Sequence, residues 1–167
     1  LAFAIQALAD VARIQGRYEQ ARQLSEECLE MLTELGYDVG RTFSLTGLGH
    51  IARAEKKWAE AQHYYQDALS IATEAGLQTI IETCRYSLGW ISYECAQYDE
   101  AKQYFKSNLL IQRKNNQDST GVAATLKGLA AVACAQKQYT EARAYIKQAL
   151  QLLKQGGALP LILDVLV

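Results

Sequence analysis

Apolar residues along this chain recur every three or four positions, which is the spacing that places side chains on one face of an α-helix. In the stretch 61–72 they stand at positions 61, 65, 68, 69 and 72, and the stretch 142–153 has the same spacing. No segment shows the sustained alternation of apolar and polar residues that a half-buried strand requires. The pattern therefore predicts an all-α protein.

Three landmarks recur in the same register four times. An aromatic residue is followed three positions later by an alanine, and these alanines are spaced by 40, 40 and 41 residues: Ala21, Ala61, Ala101 and Ala142. A leucine and a small residue precede each alanine, with the small residue twelve positions before it: Ala9, Gly49, Gly89 and Ala130. Glycine or asparagine stands fifteen positions after each: Gly36, Gly76, Asn116 and Gly157. Such self-similarity indicates a repeat protein.

The landmarks together favour a helix hairpin as the repeating unit. Small residues in both helices let the two backbones approach closely where they cross. Glycine or asparagine ends a helix because it enters the left-handed conformation at low cost. We expect inner helices at residues 1–15, 38–55, 79–95 and 120–136, and outer helices at 18–35, 58–75, 98–115 and 139–155. Residues 158–167 are predicted to begin a further inner helix.

This pattern resembles the tetratricopeptide repeat family. The family signature maps onto Leu45, Leu48, Gly49, Ala52, Ala61, Tyr65 and Ala68, and onto Leu88, Gly89, Ser92, Ala101 and Phe105. The units are longer than the standard repeat of about 34 residues. HEAT and armadillo repeats have a similar length but lack the paired landmarks. Long units resemble those of the sensor arrays in large bacterial signalling ATPases and transcriptional activators, and those of some eukaryotic polarity and motor adaptors.

The resemblance implies a right-handed α-solenoid of stacked antiparallel hairpins, a tetratricopeptide-like superhelix. We expect a single array over residues 1–167, with repeats at 1–37, 38–77, 78–118 and 119–157 and a partial fifth at 158–167. The chain begins at Leu1 without a methionine, so we interpret it as a fragment of a longer protein. Stacked repeats bury their faces against neighbours, so the array ends are expected to expose apolar surface and to allow self-association.

Charge and cysteine content narrow the possible functions. The net charge is −1 with both signs interspersed, which gives no footprint for direct nucleic-acid binding or for an anionic membrane. The apolar run at 159–167 is too short to span a bilayer. Four separated cysteines and two separated histidines do not form a metal motif, and they favour reduced thiols in a cytoplasmic protein. We therefore expect no metal and no cofactor.

Catalytic motifs are also missing from the sequence. There is no glycine-rich phosphate loop and no spacing that suggests a nucleophile with its base. We therefore predict a protein that is not an enzyme, with no catalytic residues.

In the tetratricopeptide family the ligand lies on a concave surface lined mainly by inner helices, and the resemblance places this surface here by register. The predicted partner-binding groove consists of Arg13, Phe43, Thr46, His50, Arg53, Tyr86, Trp90, Tyr93 and Lys127. Its aromatic strip, flanked by cationic residues, suits an extended or helical peptide with an acidic residue. Aromatic residues at helical spacing are also typical of a core, so groove and core remain alternative interpretations. The lysine and asparagine clamp for a C-terminal carboxylate is absent from the corresponding positions.

Two classes of function fit these observations. The first is a non-catalytic module for protein–protein interaction or scaffolding, as the sensor or effector region of a larger bacterial signalling or regulatory protein that binds a protein or peptide. The second is a regulatory or structural segment of a multidomain enzyme, an ATPase or a protease, whose catalytic domain lies outside this chain. No residue in the sequence identifies the partner.

Overall fold

The structure is a computed structural model that describes residues 2–114 and 119–156. These residues form eight α-helices and no strand. In chain order the helices are α1 (Ala2–Ile14), α2 (Tyr18–Glu34), α3 (Asp38–Ala54), α4 (Trp58–Glu74), α5 (Gln78–Glu94), α6 (Tyr98–Lys114), α7 (Ser119–Ala135) and α8 (Tyr139–Gln155). The predicted all-α helical-repeat fold is confirmed, and each predicted helix boundary agrees within one residue. The predicted fifth inner helix at 158–167 lies outside the described residues.

The chain divides into two compact units, Leu1–Ser87 and Leu88–Val167, and α5 contributes to both. In the first unit α1 packs on α2, α2 on α3, α3 on α4, and the inner helices α1 and α3 also touch each other. In the second unit α6 packs on α7 and α7 on α8. The single array over the whole chain stays a prediction.

The small-residue landmarks lie where the helices cross. The four crossing alanines, Ala21, Ala61, Ala101 and Ala142, are all buried. A Cβ added at Gly49 of α3 would lie 2.9 Å from the Tyr65 ring of α4, so no larger residue fits above that ring. In the second unit a Cβ at Gly89 would lie 2.7 Å from Phe105 of α6. Here a glycine in the inner helix accommodates a large ring from the outer helix of the same hairpin.

The turns that follow the outer helices contain the predicted glycines. Gly36 and Gly76 have φ angles of +63° and +68°, which confirms them as left-handed caps. The predicted caps at Asn116 and Gly157 lie outside the described residues.

The same left-handed cap also closes each of the inner helices α1, α3, α5 and α7, and this turn was not predicted from the sequence. The cap residues are Gly16, Lys56, Ala96 and Lys137, with φ between 59° and 74°. At Lys56 the amide donates to the Arg53 carbonyl over 3.0 Å, and the next amide, of Lys57, donates to the Ala52 carbonyl over 2.8 Å. This is the Schellman arrangement, which satisfies the last carbonyls of the helix. Only one of the four cap residues is a glycine, so composition gave no signal for this turn.

Candidate binding surface

The candidate surface in the first unit is formed by the adjoining inner helices α1 and α3. The Ser44 hydroxyl of α3 donates a hydrogen bond of 3.0 Å to Oε1 of Gln6 on α1. A Cβ at Gly47 would lie 3.1 Å from the amide nitrogen of Gln6, so a small residue at this position allows the two helices to approach. These contacts place Asp10 and Arg13 of α1 in the same region as residues 43, 50 and 53 of α3.

A cavity of about 300 Å³ lies at one end of this surface. Its lining combines polar atoms of α1 and α3 with buried apolar residues of α2: Ala2, Gln6, Ala7, Asp10, Cys28, Leu32, Gly40, Phe43 and Ser44. The Phe43 side chain is about half exposed, although a phenylalanine ring gains from burial. The cavity therefore offers an exposed ring beside the carboxylate of Asp10.

His50 lies further along α3, and its side chain contacts a tyrosine of α4. The Tyr65 hydroxyl of α4 lies 2.7 Å from Nδ1 of His50, and the two rings meet edge to face with centroids 5.6 Å apart. Burial raises the pKa of Tyr65 to about 12, so its hydroxyl stays protonated at neutral pH. Ser87 also hydrogen bonds to Tyr65. Tyr65 is not among the predicted site residues, although a tyrosine where the third repeat has Phe105 indicates a hydroxyl that needs a partner.

The His50 ring is neutral at physiological pH. Burial, followed by the charges of Arg53 and Arg13, lowers the pKa of His50 to about 4, and Asp10 opposes this shift. If the Tyr65 hydroxyl donates to Nδ1, the proton of the neutral ring is on Nε2. His50 is therefore a neutral ring in the electrostatic field of Arg53 and Arg13.

The two arginines give this end of the surface a net positive charge. Arg13 pairs with Asp10 at 3.5 Å, both on α1, and its Nε is buried without a hydrogen-bond partner among the described residues. Arg53 is exposed on α3. Guanidinium groups bind carboxylates through charge-assisted hydrogen bonds, so the arrangement suits an anionic group.

Thr46 is also in the first unit, but its side chain is buried. Its hydroxyl donates to the Phe43 carbonyl over 2.9 Å, within the same helix. Tyr86 of α5 is partly buried. Six of the nine predicted groove residues thus lie in the first unit: Arg13, Phe43, Thr46, His50, Arg53 and Tyr86.

The other three predicted groove residues lie in the second unit, where two of them belong to an aromatic cluster. The Trp90 ring meets Phe105 edge to face with centroids 5.5 Å apart, and it meets Tyr93 at the same distance. Tyr93 in turn lies 5.8 Å from Tyr98. The third residue, Lys127, is on α7 and is partly buried. The predicted role of the nine residues in binding a partner stays a prediction.

The cysteines are all free thiols: Cys28, Cys84, Cys95 and Cys134. Burial raises the pKa of Cys84 to about 12, so this thiol stays protonated and is a poor nucleophile. Over residues 2–114 and 119–156 no group of three or more His, Cys, Asp or Glu side chains is placed to hold a metal ion. In the same part of the chain no helix is long and apolar enough to cross a membrane.

Comparisons with known proteins add a family and a fold. A family model described as the MalT-like TPR region matches residues 2–164. No curated protein sequence matches the chain.

Several solved structures are similar to this chain. The apo form of RapI has a TM-score of 0.87 at 17% identity, over 94% of this chain and 57% of that one. BtubC from P. vanneervenii has a TM-score of 0.82 at 24% identity, over 90% of this chain and 61% of that one. A Rap protein complexed with Competence and Sporulation Factor has a TM-score of 0.83 at 16% identity, over 93% and 43%. At these identities the likeness shows the fold alone, and this chain spans about half the length of those proteins.

Proposed function

We propose that this chain, which belongs to the family of MalT-like TPR regions, is a non-catalytic module that binds a protein or peptide on its inner helices. We also propose that it serves as the sensor or effector region of a larger bacterial signalling or regulatory protein in the cytoplasm. The observation that carries the proposal is the surface of α1 and α3, where Arg13 and Arg53 flank the neutral His50.

The ligand we propose for this surface is a peptide segment with an acidic residue near an apolar one. The exposed Phe43 ring at the cavity contacts the apolar side chain. A carboxylate of the peptide accepts hydrogen bonds from Arg53 and from Nε2 of His50. Arg13 adds positive charge there, because its ion pair with Asp10 is long, at 3.5 Å. Charge-assisted bonds of this kind give orientation as well as affinity.

A structural neighbour supports a binding role for a chain of this fold. The Rap protein of similar fold was crystallised in complex with Competence and Sporulation Factor. Direct nucleic-acid binding and membrane binding are not part of the proposal, because the net charge of −1 carries no basic excess.

A displayed library of random peptides tests the proposal even though the natural partner is unidentified. The wild-type chain is expected to enrich peptides that combine Asp or Glu with an apolar residue. Arg53→Glu is expected to lower the affinity of the enriched peptides by about tenfold or more, since charge reversal turns attraction into repulsion. The matched control is Lys147→Glu, which makes the same charge change on the exposed side of α8.

Two results would contradict this assignment. One is enrichment of basic or purely apolar peptides. The other is an equal loss of affinity in Arg53→Glu and Lys147→Glu, which would mean that the affinity depends only on the net charge of the chain. Circular dichroism spectra of both variants must match the wild type, since Arg53 is exposed and its replacement should not disturb the helices.

A further inference from the structure

Helix α6 places two amide side chains in the core of the second unit. Asn108 and Gln112 are one helical turn apart on the same face of the helix, and their exposed fractions are 1% and 5%. The oxygens of both amides, Oδ1 of Asn108 and Oε1 of Gln112, are buried and lack a hydrogen-bond partner among the described residues. A buried amide oxygen without a partner has lost its hydration and gained no bond in return, so it destabilises the packed state.

The other outer helices, α2, α4 and α8, have small or apolar side chains at these two positions. Their residues, all of them buried, are Cys28, Ala68 and Ala149 in the register of Asn108, and Leu32, Ala72 and Leu153 in the register of Gln112. A free cysteine packs as a small hydrophobic residue, so none of these positions brings an amide into the core. The two buried amides are therefore specific to α6.

The inner helix α7 covers these amides but does not satisfy them. Nδ2 of Asn108 lies 3.4 Å from the Thr125 hydroxyl, which is long for a hydrogen bond. That hydroxyl donates its own hydrogen to the Gly121 carbonyl over 3.2 Å, so it has none left for an amide oxygen. Beside Gln112, a crevice of about 430 Å³ lies between α6, Val122 of α7 and the last two turns of α8. Packing is therefore incomplete around the C-terminal half of α6.

The N-terminal half of α6 packs closely on the same hairpin. A Cβ added at Gly128 of α7 would lie 2.7 Å from the Phe105 ring, so the ring and the helix backbone are in tight contact. Nζ of Lys102 lies 3.0 Å from a carboxylate oxygen of Glu141 on α8. One end of the contact between α6 and the α7–α8 hairpin is thus tightly packed, and the other end contains unpaired amide oxygens and a crevice.

We propose that the α7–α8 hairpin opens from the C-terminal half of α6 in the native protein, pivoting about the contacts of Phe105 and Lys102. In the open state water enters the crevice and hydrogen bonds the two amide oxygens, which offsets part of the lost packing. Lys127 lies on α7 and Trp90 on α5, so the opening changes the separation of two predicted groove residues. A partner that contacts both residues binds the two states with different affinity and shifts the equilibrium between them.

The reactivity of a buried thiol measures this opening. Thr125→Cys places a cysteine at the register position that Cys84 occupies on α5, and both positions are 0% exposed. Cys84 lies near Tyr65 of α4, an outer helix without core amides, so it is the reference for a closed contact. Alkylation of the full chain, followed by mass spectrometry of its peptides, is expected to modify position 125 about tenfold or more faster than Cys84. Val132→Cys, at a fully buried position of α7 on the pivot side, should react as slowly as Cys84.

Replacing the amides with residues that the other repeats use tests whether the amides cause the opening. Asn108→Ala combined with Gln112→Leu, in the Thr125→Cys chain, is expected to slow modification at position 125 by about tenfold or more. Gln103→Leu is the matched control, because it makes the same change at an exposed position of α6. Low concentrations of urea should accelerate the reaction at position 125 less steeply than at Cys84, since a local opening exposes less surface than unfolding does.

Three outcomes would overturn the inference. Equal rates at position 125 and at Cys84, with the same dependence on urea, would mean that only global unfolding exposes the contact. Equal rates at positions 125 and 132 would contradict a pivot, because the whole hairpin would then leave α6 together. Modification at position 125 that is as fast after replacement of both amides as in the Gln103→Leu control would show that the amides do not promote the opening.

Discussion

The second and third repeats place different chemistry in the same two positions of the hairpin. In the second repeat the outer helix supplies Tyr65, whose hydroxyl bonds Nδ1 of His50 on the inner helix. In the third repeat the outer helix supplies Phe105, which packs edge to face on Trp90. Both rings are fully buried, and each lies against a glycine, Gly49 or Gly89.

The difference shows that the inner-helix residue, His50 or Trp90, matches the chemistry of the outer-helix ring that it contacts, Tyr65 or Phe105. A buried tyrosine hydroxyl needs a hydrogen-bond partner, and a neutral histidine provides one. A phenylalanine has no such need and packs against an indole. His50 and Trp90 are both partly buried, so each contacts the core on one side and reaches the surface on the other. Groove and core, which remained alternatives from the sequence, need not exclude each other at these positions.

Removal of Phe105 is expected to have the largest effect on stability. Its ring would lie 2.7 Å from a Cβ at either Gly89 or Gly128, so glycines on two inner helices pack against it. Phe105→Ala leaves a cavity that these backbones cannot fill, at a cost of about 3–5 kcal/mol. Urea unfolding followed by circular dichroism measures the change. Leu110→Ala, on the exposed side of the same helix, should be near neutral, and a similar loss in both variants would contradict the packing described.

Substitution of the glycines that contact the two rings, Gly49 and Gly89, is expected to have the next largest effect on stability. Gly49→Ala and Gly89→Ala place a methyl group against Tyr65 and Phe105, and such overpacking costs about 1–3 kcal/mol. Measured free energies of unfolding for the single variants should fall in this range.

The first repeat suggests how the clash at Gly49 can be relieved. There the glycine and ring positions hold Ala9 and Ser25. Tyr65→Ser is therefore expected to reduce the added cost of Gly49→Ala, although it is itself destabilising. A double-mutant cycle measures this coupling. Additive free energies would mean that Gly49 and Tyr65 do not restrict each other.

Helix positions and crossing residues were predictable because they depend on local spacing and residue size. The pattern around Ala61 and Gly49 reflects a steric requirement that only small residues meet, so it is visible in the sequence. The burial of Thr46 could not be predicted from the sequence. Several other helices cover α3, and a threonine is compatible with a buried or an exposed position. The participation of Tyr65 also escaped prediction, since its hydroxyl reaches His50 from the outer helix. Side-chain direction across a helix pair depends on tertiary packing rather than on spacing.

Low pH should reveal a further difference between the second and third repeats, because a histidine, His50, stands in the second where the third has Trp90. The pKa of His50 is about 4 in the folded protein, compared with a usual value of about 6.5 in an unfolded chain. Above pH 6.5 both states are neutral and the contribution of His50 to stability is complete. As the pH falls from 6.5 to 4, the unfolded state binds the proton and the folded state does not. The free energy of unfolding therefore decreases over this window.

The loss attributable to His50 is on the order of 1–2 kcal/mol, since the ring is only partly buried. Urea unfolding at several pH values between 7 and 4 should show a smaller decrease for His50→Gln than for the wild type. His63→Gln removes a histidine from the exposed side of α4 and serves as the control. Identical pH profiles for the wild type and His50→Gln would contradict a neutral, tyrosine-bound ring.

The smallest expected effect concerns the turns between inner and outer helices, where the two repeats are alike. Lys56 in the second repeat and Ala96 in the third both have φ of 59°. A residue with a Cβ pays about 1 kcal/mol or more for this conformation, whereas glycine adopts it freely but loses more entropy on folding. The net result for Lys56→Gly and Ala96→Gly should be a stabilisation of about 0.5 kcal/mol.

Ala54→Gly is the matched control, because Ala54 is exposed at the end of α3 and has helical geometry. There the same type of substitution only adds flexibility, so it should destabilise by about 0.5–1 kcal/mol. Urea unfolding of the three variants gives the comparison directly. Opposite signs at positions 54 and 56 would show that the left-handed turn, rather than a general tolerance for glycine, determines the outcome. Destabilisation at both Lys56 and Ala96 would instead mean that side-chain contacts at these turns outweigh the backbone strain.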